Sequence, residues 1–200
     1  MQDIFISKKR MSNYSNDVEY VENVKFSQFC YPLLHYFEIT LRNKINYFYS
    51  KKYGTSWLIN QPSILMHDSS IISRINEIDK YNTSSNHDDI IANLTLGFWV
   101  GLFNPKYLLR TQLHKEQINS VFGISTKNIH KGYLVKLHNE LNTIRNFRNR
   151  IFHYEKVFNN PKYLHAPKLL EYMLYRMDSK QYLGKTLKHF GINLAVPPRL

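Results

Sequence analysis

Residues 133–154 read YLVKLHNELNTIRNFRNRIFHY, and their apolar side chains recur at the spacing of one helix face. These apolar positions are Leu134, Leu137, Leu141, Ile144 and Ile151. An α-helix advances about 100° per residue, so side chains at this spacing form one continuous stripe. The pattern predicts a long helix from about residue 126 to residue 154.

Arg148 falls inside this apolar stripe. On the helical wheel, Leu137 and Leu141 lie about 20° to either side of it. A guanidinium keeps its charge at every accessible pH, so it does not belong in an apolar core without a partner. Two alternatives follow. Either Arg148 is buried in a salt bridge with a carboxylate while His153 caps the helix end, or Arg148 faces a solvated site that binds an anion.

The residues around Arg148 have the chemistry that cleavage of an RNA phosphodiester requires. Arg145 lies about 60° from it on the wheel, and Asn149 and His153 lie about 100° and 140° from it. Some unwinding after Phe152 would bring the imidazole toward the guanidinium. An imidazole exchanges protons near neutral pH, and an arginine can clamp phosphate oxygens and stabilise the charge of the transition state. Asn149 would orient the imidazole or bind a phosphate.

Glu38 is a candidate partner for a basic side chain. On its own predicted helix it lies about 40° from Leu34 and about 20° from Ile45, so it also points into an apolar stripe. A carboxylate in such a place is costly unless it meets a cation. We predict that Glu38 contacts Arg148 or Arg42, its i+4 neighbour, and holds a basic side chain in position.

The rest of the chain also shows helical periodicity, without a strand-like alternation or an internal repeat. The predicted helices cover residues 17–53 (as one or two helices), 63–81, 88–103, 105–121, 126–154 and a last segment from Pro167, with a final piece to Phe190. Pro32 predicts a break or a first turn, and Gly54 predicts a helix end. Residues 55–62 are predicted to be a loop with Trp57 and Leu58 as a buried anchor.

The composition fits one all-α domain. The chain has 200 residues, of which 43% are hydrophobic, and its 15 Tyr and 12 Phe supply the bulk of a core. We predict a single-domain helical bundle over residues 17–200, preceded by a flexible N-terminus over residues 1–16. The sequence shows no signal peptide and no apolar run long enough to cross a bilayer, and Cys30 is its only cysteine. We therefore expect a cytoplasmic protein without a disulfide or a membrane anchor.

No metal or cofactor motif is visible. The 9 histidines are scattered, and none forms the i, i+4 pair with a Glu that a zinc peptidase helix needs. A Gly-rich phosphate loop and a serine elbow are also missing from the sequence. We therefore expect neither a metal nor a cofactor.

The net positive charge of the chain lies in its second half. Residues 1–100 carry 10 Lys and Arg against 10 Asp and Glu, whereas residues 101–200 carry 17 against 5, so the whole net charge of +12 lies in the second half. Such a surface attracts polyanions, and RNA is the partner that we expect. A general solubility charge and an anionic membrane are the alternatives. The membrane is disfavoured because no basic amphipathic helix with a broad apolar face stands out.

Three stretches of the sequence resemble a known family. They are FEITLRNKINYFYSKKYGTSWL (37–58), LTLGFWVGLF (94–103) and TIRNFRNRIFHYE (143–155). In order and spacing they are similar to blocks of the Abi-like (abortive infection) family of HEPN-domain proteins, and the resemblance covers most of the chain from about residue 25 to residue 175. Arg148-Asn149-x-x-x-His153 resembles the R-x4-H ribonuclease motif of that class.

The resemblance implies a helical bundle of the HEPN type that forms a homodimer through the face carrying the motif. The two copies of Arg148 and His153 would line one cleft, so that base and acid come from the two subunits. The implied reaction is metal-independent: the RNA 2′-hydroxyl attacks the adjacent phosphate and leaves a 2′,3′-cyclic phosphate and a 5′-hydroxyl. Some HEPN toxins carry a Tyr two residues after the His, which an antitoxin modifies with AMP. Position 155 is Glu here, so we do not infer that regulation.

The resulting prediction is an endoribonuclease toxin of phage defence. Its catalytic residues would be Arg148, His153 and Asn149. The supporting residues would be Glu38, Arg42, Asn43 and Arg145, and the RNA-binding residues would be Arg145 and Arg150. A cognate antitoxin or a phage-derived trigger is a possible further partner. The alternative is a non-catalytic helical module that binds RNA or a protein partner.

Overall fold

The structure is a computed structural model that describes residues 6–60, 73, 87–108, 112–178 and 182–194. Within these ranges every regular element is a helix and no β-strand occurs, so the all-α class is confirmed. The α-helices are Lys8–Met11, Asp17–Tyr53, Trp57–Asn60, His87–Asn93, Leu96–Gly101, Pro105–Leu108, Gln112–Phe122, Lys131–Phe152, Ala166–Met177 and Tyr182–Lys188. Short 3-10 helices lie at Thr126–Asn128 and Pro161–Tyr163.

The first long helix, Asp17–Tyr53, confirms the prediction for residues 17–53 and forms without interruption. The break predicted at Pro32 is wrong. A proline inside a helix removes one hydrogen bond and crowds the preceding turn. Here its neighbours Leu33 and Leu34 are fully buried, and their packing outweighs that local cost. Gly54 ends the helix as predicted, with a φ of +90° that favours glycine.

The second long helix, Lys131–Phe152, carries the motif and is called the motif helix below. It begins five residues later than predicted. The 3-10 turn at Thr126–Asn128 precedes it, and His130 Nδ1 accepts a hydrogen bond from the Tyr133 N–H at 3.4 Å. A side-chain acceptor before the first turn caps a helix, so the sequence signal for the true start was His130.

The prediction of one apolar helix over residues 88–103 is wrong. The chain forms two helices there, His87–Asn93 and Leu96–Gly101. Thr95 separates them because its backbone is extended and its hydroxyl accepts a hydrogen bond from the Phe98 N–H at 3.4 Å. Threonine is a strong N-cap residue, so it starts a new helix at this point.

Other segments differ from the predictions in detail. The loop predicted over residues 55–62 contains one helical turn, Trp57–Asn60, although its anchor is confirmed because Trp57 and Leu58 are buried. The helix predicted over residues 63–81 lies outside the described residues, apart from the helical residue 73. Within the range predicted as a helix over 105–121, the structure describes Pro105–Leu108 and Gln112–Phe122.

The C-terminal helices agree with their predictions. A helix over Ala166–Met177 has Pro167 in its first turn, and a further helix covers Tyr182–Lys188. Proline suits the first turn of a helix because the N–H that it lacks would have no partner there.

The chain divides into two compact units. The motif unit is formed by Met1–Phe37 with Glu140–Leu200, and the central unit is formed by Glu38–Asn139. In the central unit the Tyr49 and Trp57 rings stack with centroids 4.5 Å apart, and the Tyr49 hydroxyl donates to Gln117 Oε1 at 2.8 Å. In the motif unit, Phe147 packs against Phe26 and Tyr163. Each unit thus has its own aromatic core.

The predicted flexible N-terminus falls in the motif unit. Of residues 1–16, the structure describes residues 6–16, which contain the short helix Lys8–Met11 and the buried ring of Tyr14. Tyr14 packs edge-on against Tyr20, with ring centroids 5.1 Å apart. This segment therefore contributes side chains to the core of its unit.

Candidate functional site

Arg148 lies at the edge of the buried stripe of the motif unit. Over the last turns of the motif helix the buried positions are Ile144, Phe147 and Ile151. Their average direction is about 70° round the helix from Arg148. The expectation that Arg148 occupies the middle of the apolar face is therefore wrong, because the last turns bury a different sector from the one that Leu137 and Leu141 define. Arg148 is half-buried.

The Arg148 guanidinium rests on an aromatic ring. Its central carbon lies 4.2 Å from the centroid of the Phe152 ring, one helical turn further along. The electron-rich face of an aromatic ring attracts a cation, and this contact orients the plane of the guanidinium. A guanidinium donates its hydrogen bonds in its own plane, and that is the direction in which it binds a phosphate or a carboxylate.

His153 is the last residue held by the motif helix. Its N–H donates to the Asn149 carbonyl at 2.9 Å, so the unwinding expected before His153 does not occur. The side chain is exposed. An exposed imidazole at the end of a rigid helix is accessible to a substrate without further rearrangement.

The chain turns sharply after His153. Tyr154 has a φ of +58°, and its N–H donates to the Ile151 carbonyl at 3.0 Å. The Glu155 N–H donates to the Arg150 carbonyl at 2.8 Å. This pair of hydrogen bonds is the Schellman arrangement, in which glycine is the usual residue at the left-handed position. The helix therefore ends with a tyrosine in a conformation that suits glycine.

The other predicted residues of the motif differ in their surroundings. Asn149 is exposed, and Arg145 is half-buried. Arg150 forms an ion pair with Glu155, with Nη1 and Oε2 2.9 Å apart. Because both members of this pair are largely exposed, it contributes little stability and a phosphate could replace the carboxylate.

Asn23 anchors the loop that follows the motif. Its Oδ1 accepts hydrogen bonds from the Val157 N–H at 2.7 Å and the Phe158 N–H at 2.9 Å. Its Nδ2 donates to the Tyr14 hydroxyl at 3.2 Å and to the Glu155 carbonyl at 3.4 Å. The residue is almost fully buried, so one amide satisfies several backbone groups that would otherwise be costly to bury.

Two further contacts fix the same loop. Arg10 Nη1 donates to the Tyr154 carbonyl at 2.6 Å, and Lys156 Nζ lies 2.7 Å from Glu19 Oε1. The hydrogen bond from Lys156 lowers the pKa of Glu19. The roles of Arg10 and Asn23 were not predicted from the sequence, because their partners lie more than a hundred residues away in the chain. The only available signal was an asparagine on the buried face of a helix, where that residue is disfavoured.

A groove of about 740 Å³ lies beside the motif in the same unit. We call it the aromatic groove. Its lining includes four aromatic residues, which are Tyr20, Tyr31, Phe152 and Tyr154. The Tyr31 and Phe152 rings stack with centroids 5.6 Å apart and planes inclined by 26°. The groove thus begins at the ring on which Arg148 rests.

The predicted supporting residues Glu38, Arg42 and Asn43 belong to the central unit. Glu38 is half-buried, in agreement with a carboxylate that points toward an apolar stripe. Arg42 Nε donates to Asn43 Oδ1 at 3.4 Å, so the neighbouring amide supplies a local acceptor. The supporting role of Glu38 stays a prediction.

Other chemistry in the described part of the chain is limited. Cys30 is fully buried, and burial raises the pKa of its thiol to about 12, so it is not a nucleophile near neutral pH. Within the described residues, no three His, Cys, Asp or Glu side chains are grouped so that they would hold a metal ion. In the same part of the chain, no helix has both the length and the apolar character needed to cross a bilayer.

Comparisons of the chain with protein-family models, with curated proteins and with solved structures find no match. The likeness to the Abi-like family therefore rests on the three sequence stretches and the spacing of the motif.

Proposed function

We propose that this protein is a metal-independent endoribonuclease of the HEPN type that acts as a toxin in phage defence. The observation that supports it best is the geometry at the end of the motif helix. There, Arg148 is oriented by the Phe152 ring and His153 is exposed on the last helical turn. A fixed cation and an accessible imidazole are the groups that RNA cleavage by its own 2′-hydroxyl uses.

The chemistry assigns one role to each residue. His153 of one subunit takes the proton of the 2′-hydroxyl as its oxygen attacks the adjacent phosphorus. Arg148 binds the non-bridging oxygens and stabilises the additional negative charge of the transition state. The bond to the 5′-oxygen breaks, and the imidazolium of the second subunit's copy donates a proton to that oxygen. The products are a 2′,3′-cyclic phosphate and a 5′-hydroxyl, and Asn149 orients the imidazole or binds a phosphate.

The test is cleavage of end-labelled total RNA by the purified protein in EDTA, followed by chemical identification of the product ends. We expect cyclic phosphate and 5′-hydroxyl ends, and we expect His153→Ala to lower the rate about 10²–10⁴-fold. The helix content of the variant, measured by circular dichroism, should be unchanged because His153 is exposed.

The matched control is His165→Ala. His165 is also exposed, lies in the same unit and makes no capping hydrogen bond through its side chain. This variant should cleave at the wild-type rate. Undiminished cleavage by His153→Ala protein, free of contaminating nuclease, would contradict the assignment.

The second candidate is a non-catalytic module that binds RNA or a protein partner through the basic half of the chain. The observation in its favour is that the whole net charge of +12 lies in residues 101–200. The two candidates differ in what Arg148→Ala does. In a binding module this substitution should weaken RNA binding modestly and reduce the salt slope, which is the slope of log K for RNA binding against log[salt], by about one. In the enzyme the same substitution should reduce turnover far more than binding.

A further inference from the structure

The aromatic groove has a lining that suits a nucleobase. Besides its four aromatic rings it contains polar side chains, among them Ser7, Arg10 and Gln28. Gln28 can both donate and accept hydrogen bonds, as the edge of a base requires. Among the described residues that line the groove, none carries a carboxylate. A polyanion can therefore approach this surface without meeting negative charge from the lining.

The rings remain accessible on the groove surface. Tyr154 is 75% exposed, and Tyr31, which stacks with Phe152 and His35, is 51% exposed, so part of each side chain is left for contact with another flat group. Aromatic side chains bind single-stranded nucleic acid by stacking, because every base has a π-face. A volume of about 740 Å³ lies within the range of about 300–1,000 Å³ that small-ligand sites occupy, and it suits one or two nucleotides.

The groove is connected to the motif through one side chain. Phe152 lines the groove, stacks with Tyr31 and carries the Arg148 guanidinium 4.2 Å from its ring centroid. A phosphate bound by Arg148 would therefore lie within one nucleotide of the groove. Arg10 lines the groove as well, and its Nη1 donates a hydrogen bond to the neutral carbonyl of Tyr154.

We infer that the aromatic groove binds one base of single-stranded RNA, next to the phosphate held by Arg148, and so gives the protein a base preference at that position. The inference rests on the proposed function and names the substrate contact of the same site. An apolar peptide is the poorer occupant, because the lining also includes the cation of Arg10 and the amide of Gln28, which an apolar side chain cannot pair.

The experiment measures binding of labelled hexanucleotides whose 2′-oxygens are methylated, which prevents cleavage. Oligo-A, oligo-C and oligo-U are compared with an oligonucleotide that has an abasic position, by fluorescence anisotropy at several salt concentrations. We expect Tyr31→Ala to weaken binding of the base-containing oligonucleotides by about five-fold to a hundred-fold. The salt slope should stay the same, since stacking does not release counterions.

Phe29→Ala is the matched control. Phe29 is an aromatic residue on the same helix, it is 49% exposed, and it is not part of the groove lining. Its replacement should leave RNA binding unchanged. Equal affinities of the two variants, or an equal effect of Tyr31→Ala on the abasic oligonucleotide, would overturn the inference.

A second measurement needs no variant. Oligonucleotides that carry 4-thiouridine are crosslinked to the wild-type protein by ultraviolet light, and the attached peptides are identified by mass spectrometry. The crosslinks should fall on the peptides that contain Tyr31 or Tyr154, and crosslinks found only elsewhere would refute the base site.

The two proposals can fail separately. If the protein binds RNA in a base-dependent way through Tyr31 but does not cleave it, the groove stands as an RNA-binding site and the proposed enzyme is rejected. If cleavage depends on His153, but Tyr31→Ala changes neither RNA binding nor base preference, the proposed enzyme stands and the proposed base site is rejected.

Discussion

Asn23 shows how much one buried amide can hold in place at the residue scale. We expect Asn23→Ala to leave the N–H groups of Val157 and Phe158 without their acceptor. Unsatisfied buried groups cost about 1–3 kcal/mol, so the free energy of unfolding in urea should fall by about that amount.

The control for this variant is Asn13→Ala. Asn13 is exposed, and its amide donates to the Lys9 and Arg10 carbonyls within its own turn. Its replacement should change the free energy of unfolding by less than about 0.5 kcal/mol. If the two variants lose the same stability, the anchoring role of Asn23 is wrong.

Glu38 is the second residue for which a single substitution is informative. Glu38→Gln keeps the shape and removes the charge, so we expect lower cleavage activity with an intact fold. Glu38→Leu removes the acceptor as well and should lower the thermal midpoint, because a buried cation then lacks its partner. Cleavage rates and melting curves of both variants check this, and wild-type behaviour of Glu38→Gln in the cleavage assay would refute the support role.

The C-terminal end of the motif helix carries a prediction at the element scale. Tyr154 adopts a φ of +58°, which costs a residue other than glycine about 1 kcal/mol or more. We expect Tyr154→Gly to relieve this strain and to raise the free energy of unfolding by up to about 1 kcal/mol. The same change removes an aromatic ring from the aromatic groove, so RNA binding should weaken while stability rises.

Tyr154→Ala separates these two effects, because it removes the ring and keeps the strained backbone. It should weaken RNA binding like the glycine variant without the gain in stability. A glycine variant that is less stable than the alanine variant in denaturant titration would show that the turn is not strained.

Sequence periodicity located the long helices because their buried faces are continuous. The first long helix and the motif helix follow this rule, although the break predicted at Pro32 and the predicted start of the motif helix were wrong. Pro32 does not break its helix, since burial of Leu33 and Leu34 outweighs the lost hydrogen bond. Thr95 does divide a helix, and its capping ability was readable in the sequence but was masked by the apolar run around it.

Only those residues of the candidate site that lie close together in the sequence could be predicted. Arg148, Asn149 and His153 lie within two turns of one helix, so their spacing alone brings them near each other. The aromatic groove and the Asn23 anchor join segments that are far apart in the chain. Contacts of this kind depend on the tertiary fold, and helical periodicity carries no information about them.

At the scale of the whole molecule, the proposed dimer can be tested by subunit mixing. A heterodimer of a wild-type chain and a His153→Ala chain, isolated with two different affinity tags, retains only one of the two imidazoles in the shared cleft. Because the proposed reaction takes its base and its acid from the two subunits, we expect this heterodimer to lose most of the wild-type cleavage rate.

The control is a heterodimer of a wild-type chain with a His165→Ala chain, which should cleave at the wild-type rate. If each subunit contained a complete site, the heterodimer with one His153→Ala chain would keep about half of the wild-type rate. A rate near that half would therefore contradict the composite site.

The division of the chain into two units has a consequence for its synthesis. The central unit is one continuous segment, whereas the motif unit needs Met1–Phe37 together with Glu140–Leu200. At about 5–20 residues per second, a ribosome takes roughly 5–20 s to make the stretch between these two segments. Leu33, Leu34 and Phe37 are buried in the folded protein, and during that interval the C-terminal segment of their unit has not yet been made. We therefore expect the nascent chain to bind ribosome-associated chaperones until the motif helix emerges.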